Sequence, residues 1–134
     1  MKVQSRFAAR SAAASLALIT AVALACGHCA EDLIAVVYDH ALAQRTLALK
    51  HETLFFVWEG SVVRSDELRQ IMMALAETVP DVDKGSVRVS MEPTALSVAF
   101  APQRRRAETM VDALRQKFAG IHVSIVRLPN PKAL

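Results

Sequence analysis

At 134 residues, 53% of them apolar and 22% charged, the chain holds material for one modest core and too little for two independent domains. Its 16 Lys and Arg outnumber its 13 Asp and Glu, but Lys2, Arg6 and Arg10 fall in the first ten positions and no acidic residue precedes Glu31, so the remainder balances at 13 of each sign. That balance removes the electrostatic case for a nucleic-acid partner, and the one basic cluster left, Arg104-Arg105-Arg106, is expected on the solvated first turn of a helix.

Residues 1–25 read as a secretory signal. A basic start is followed by an uncharged apolar run over 12–25 that ends in Ala23-Leu24-Ala25, the small-x-small pattern a signal peptidase accepts. The cut is expected between Ala25 and Cys26, which places the mature protein in the periplasm or elsewhere in the cell envelope. The run of about 15 apolar residues is shorter than the ~20 a spanning helix needs, so no membrane span is expected in the mature protein. A lipid anchor on Cys26 is a second reading, weakened by Ala23, which stands where lipoprotein signals normally carry a larger aliphatic residue.

Residues 26–50 form a cysteine segment and a helix. The helix is expected over 31–49, where Leu33, Val36, Val37, Ala41 and Leu47 recur at near-helical spacing and Glu31 and Asp32 suit its positive amino end. Residues 51–128 form the compact domain and 129–134 a tail. Leu54-Phe55-Phe56-Val57-Trp58 predicts a strand ended by Gly60. A helix follows, capped by Ser65 or Asp66, with Leu68, Ile71, Met72, Leu75 and Val79 on one stripe and Pro80 as its stop. Val87, Val89 and Met91, then Leu96, Val98 and Phe100, alternate as two strands about a Glu92-Pro93-Thr94 turn. Ala107, Met110, Val111, Leu114 and Phe118 mark a second helix capped by Gly120, and Val123 and Ile125 a last strand. Two such helices hide their stripes by packing on one face of a four-stranded antiparallel sheet. The expected fold class is therefore α+β, a ferredoxin-like βαββαβ sandwich with an additional amino-terminal helix.

From Leu68 to Val126 the chain resembles a heavy-metal-associated domain, the small metallochaperone module. The matching stretches are Met72-Met73-Ala74-Leu75, Val79-Pro80-Asp81-Val82, Ser86-Val87-Arg88-Val89, Leu96-Ser97-Val98-Ala99-Phe100 and Met110-Val111-Asp112-Ala113-Leu114. The resemblance implies the same fold and a metal-carrying role. The family's CxxC, however, lies in the loop after the first strand, where this chain has Gly60-Ser61-Val62-Val63-Arg64-Ser65, so that site does not carry over.

Both cysteines instead sit in Cys26-Gly27-His28-Cys29. Two thiols separated by two residues can reach one soft metal ion or close a small disulfide, and the amino end of the helix that follows favours anions, a thiolate included. His28 adds an imidazole nitrogen. If Cys26 is the mature start, its free amine, the intervening amides and His28 suit square-planar Cu(II) or Ni(II), while the two thiolates suit Cu(I) or Zn(II). The expected protein is a carrier or sensor for copper or zinc, not an enzyme, with Cys26, His28 and Cys29 as metal ligands and an envelope protein as a further partner. Two alternatives stay open: an interaction module whose CxxC is a structural disulfide or a lipid anchor, and a thiol-disulfide redox protein, since Cys-Gly-His-Cys is also the active-site tetrapeptide of protein disulfide isomerases. Against the last, no strand pattern precedes Cys26.

The other candidates have plainer readings. On one intact helix His40 would lie ~16 Å from Cys29, too far to share an ion. His51 and His122 could meet if the first and last strands lie near each other, and solvated strand ends account for both more simply. Met72, Met73 and Met110 read as core filling, Met91 as core or as a thioether near a copper site, Trp58 as half-buried at the sheet edge or over the helix joint, and Asp81-Val82-Asp83 as a turn. No nucleophile triad or phosphate-cradling glycine loop stands out.

Overall fold

The computed structural model describes residues 29–131, so the expected leader and cleavage point, Cys26, His28 and the last three residues lie outside the described residues. Two short helices come first, α1 (Ala30–Ala35) and α2 (His40–Ala48). The expected single helix over 31–49 is thus broken. Val37 stays buried while Val36 is exposed at the end of α1, and Asp39 is extended with its carboxylate accepting the Leu42 N–H at 3.0 Å, which starts a new helix at His40. The ~16 Å separation expected between Cys29 and His40 assumed an unbroken helix, and that premise fails.

At its far end α2 closes on a left-handed Lys50, φ 55°, where glycine is the usual residue. The His51 N–H donates to the Thr46 carbonyl at 2.9 Å and the Lys50 N–H to that of Leu47 at 3.0 Å, so the helix carbonyls are satisfied as the chain turns into β1 (Glu52–Gly60). There follow α3 (Asp66–Glu77), β2 (Arg88–Met91), β3 (Thr94–Phe100), α4 (Ala107–Ala119) and β4 (Val123–Arg127). Ser65 caps α3, accepting the Leu68 N–H at 3.1 Å, and the residues Glu92 and Pro93, joined by a cis peptide bond, make the β2–β3 turn.

All strand pairings are antiparallel and the sheet runs β2-β3-β1-β4. With α3 and α4 on one face, this is the ferredoxin-like βαββαβ sandwich expected from the patterning. Alternation puts Leu54, Phe56 and Trp58 of β1, Leu96, Val98 and Phe100 of β3, and Val123 and Ile125 of β4 on the face that meets Met72, Ala76, Met110, Leu114 and Phe118 of the helices. Met72 and Met110 are fully buried and Met73 and Met91 pack partly buried against the same cluster, all four as core.

Trp58 departs from its expected half-buried place. Its strand is central in the sheet, its side chain is 1% exposed, and Nε1 donates to the Ser90 carbonyl at 2.9 Å. Gly120 does hold the carboxyl cap of α4, but in a right-handed conformation; His122 takes the left-handed one, φ 60°. The three arginines expected on the first helical turn precede it instead, with Arg106 at the amino cap and Arg105 Nε 3.2 Å from Asp81.

The sheet's second face is covered by the amino-terminal helices, which makes three layers. Leu33, Ile34 and Val37 bury against Phe55, Ala95 and Leu128, each such side chain contributing about 1.5–3 kcal/mol. The buried Ser97 hydroxyl donates to the Val37 carbonyl at 3.2 Å, and Arg88 of β2 holds Asp39 at 2.9 Å. No described helix is long and apolar enough to cross a membrane.

Candidate functional site

Cys29 is the member of the expected metal set that the structure describes. It occupies the amino cap of α1 with extended backbone, φ −72° and ψ 163°, and its carbonyl accepts from the N–H groups of Asp32 at 3.1 Å and Leu33 at 3.2 Å. The side chain is exposed, and the Sγ–H points to the Glu31 carboxylate at 3.9 Å, a weak contact. Among the described residues Cys29 is a free thiol. Because Leu33 and Ile34, four and five residues on, are anchored in the sheet, the thiol stands at the edge of a fixed surface.

The loop that follows β1 carries different chemistry from the metal loop of the family this chain resembles. Arg64 lies over the Trp58 ring at 5.8 Å and pairs with Glu92 of the β2–β3 turn at 2.8 Å, while Val63 is 84% exposed. A guanidinium over an indole face, closed by a carboxylate, is a cation–π and ion-pair clasp with no soft donor in it. Among the described residues no group of three or more His, Cys, Asp or Glu is placed to hold a metal ion.

The histidines are separated by the topology. His51 precedes β1 and His122 precedes β4, whose Val123 pairs with Gly60 at the other end of β1, so the two lie roughly 30 Å apart along the strand. His51 instead meets Asp83, Nδ1 to Oδ2 at 2.7 Å, with side chains 20% and 22% exposed. Asp83 was expected merely in a turn. Its N–H donates to the Ala99 carbonyl at 2.9 Å, beside a bridge between Val82 and Phe100, so the turn is stitched to the end of β3 and its carboxylate is aimed at the strand start. The pair is 32 residues apart in sequence, and only the β1–β3 register brings its members together. No local pattern announces it.

The Asp39 carboxyl is held below the ordinary carboxylate range, chiefly by the Leu42 backbone N–H and then by the Arg88 guanidinium. It ties the α1–α2 junction to β2.

No family model matches the chain, and no curated protein does either. Among solved structures, the crystal structure of oxidized MerP from Ralstonia metallidurans CH34 is similar to 59% of this chain and 99% of its own, at 14% identity and a TM-score of 0.45. What places this chain in the ferredoxin-like class is its own strand order and two-helix layer.

Proposed function

We propose that this protein is an exported carrier or sensor for a soft metal ion, copper or zinc, bound by Cys26, His28 and Cys29, and that it is not an enzyme. The observation that carries this reading is the Cys29 thiol: exposed, free among the described residues, and fixed immediately ahead of a helix docked on the sheet. Two thiolates from a CxxC suit Cu(I) or Zn(II), and the His28 imidazole supplies a further nitrogen. Both thiols give up their protons on binding, so uptake weakens in acid. Export rests on the basic start, the apolar run and the Ala23-Leu24-Ala25 ending; the folded domain would present the segment to an envelope partner.

Cu(I) titration of the reduced protein against a chromogenic chelator tests the reading. Wild type is expected to take one ion per chain. Cys29→Ser is expected to lose at least tenfold in affinity while keeping the wild-type circular dichroism spectrum, since an exposed cap residue contributes little to the core. Uptake unchanged in Cys29→Ser contradicts the assignment. In that case the exposed apolar side chains Leu47 and Val63 favour an interaction module, in which Cys26 and Cys29 serve as a disulfide or an anchor.

A further inference from the structure

Between α2 and the sheet face beneath it lies a groove of about 220 Å³, walled by Val37, Leu42, Leu47, Phe55 and, at one side, His51. An apolar cavity of ~150 Å³ is enough to hold benzene, so the groove has room for a substituted ring. Its buried hydroxyls are already engaged: Ser97 donates to the Val37 carbonyl at 3.2 Å and Thr46 to that of Leu42 at 2.8 Å. The imidazole is different. Asp83 can only accept, so at 2.7 Å from its carboxylate His51 Nδ1 carries the proton, and in the neutral ring Nε2 is left as a lone-pair acceptor. Nε2 has no hydrogen-bond partner among the described residues.

The dyad is built, not incidental. The left-handed Lys50 turn holds the His51 backbone, and the Asp83 N–H bond to Ala99 holds the carboxylate. Asp39, the carboxylate in the groove wall, is engaged by Arg88. The result is an apolar slot with a carboxylate-held imidazole in its wall, and a polar group set in an apolar wall is how small-molecule sites fix one polar group of an otherwise apolar ligand. We propose that this groove is a binding site for a small phenol-type molecule, its ring held by Leu42, Leu47 and Phe55 and its hydroxyl donating to His51 Nε2. The proposal stands whether or not the cysteine segment binds metal.

Titration of ¹⁵N-labelled protein with p-cresol, and separately with toluene as the ring without the hydroxyl, tests it. Saturable shifts are expected at the amides of Leu42, Phe55 and Ser97, with p-cresol binding about tenfold tighter than toluene, the worth of one hydrogen bond. Asp83→Asn, which frees the imidazole to take either tautomer, is expected to narrow that preference, and His51→Leu to abolish it while toluene still binds. Unperturbed amides at Leu33 and Ile34 report that α1 remains docked in each variant. Absence of saturable shifts in wild type, or equal affinity for p-cresol and toluene, overturns the proposal; should His51→Leu disturb the fold, the Asp83→Asn comparison decides alone.

Discussion

Gly60 closes β1 where β4 begins, and a Cβ at that position would stand 2.7 Å from the His122 carbonyl oxygen. The obstruction is backbone, and His122 is itself held in a left-handed conformation, so neither side can yield cheaply. Gly60→Ala is therefore expected to destabilise the protein by about 1–3 kcal/mol, read as a lower urea midpoint with unchanged slope. The sequence shows Gly60 as a strand terminator but not its reason, because the opposing carbonyl arrives from 62 residues away. Trp58 teaches the same lesson. Its apolar neighbours identify the strand, yet its full burial follows from β1 being central and from the Ser90 carbonyl that satisfies its indole, both consequences of sheet order.

At the scale of elements, the helices and strands of residues 52–127 follow the periodicity closely, since a 3.6-residue stripe and a two-residue alternation each have one way to meet a shared core. The amino-terminal segment is where periodicity misleads. Leu33, Val37, Ala41 and Leu47 fit one helical face, but Asp39 satisfies the amino end of a second helix and reaches Arg88, and those bonds outweigh the continuity of one long helix. The pH dependence follows from the same residue. Its carboxyl lies lower in the folded protein than in the unfolded chain, so its contribution is complete above the ordinary carboxylate range and is lost as pH falls through the lowered folded value. Asp39→Ala is accordingly expected to lower the urea midpoint at pH 7 and to differ little from wild type in strong acid, with ordering of α2, followed by hydrogen exchange of Leu42 and Ala43, reduced at neutral pH. Equal midpoints at pH 7 would contradict the role given to Asp39.

For the whole molecule, the ferredoxin-like class was legible because strand, helix, strand, strand, helix, strand with these faces admits few compact arrangements. The docking of α1 and α2 on the open face was one of several placements compatible with the pattern, and Phe55, an apolar residue pointing away from the main core, is the residue that selects it. The cysteine segment is legible as chemistry, through spacing and residue type, but its partners in space are not, and the His51–Asp83 dyad could not be found from either residue alone. The segment beginning at Cys26 is proposed to carry a soft metal. Intact mass of the protein recovered from the envelope of its own host, native and denatured, with and without a copper chelator, tests it most directly. An unmodified chain beginning at Cys26 with copper that the chelator removes is the expected result. A lipid-modified Cys26, or a metal-free Cys26–Cys29 disulfide that takes up no copper after reduction, would contradict it.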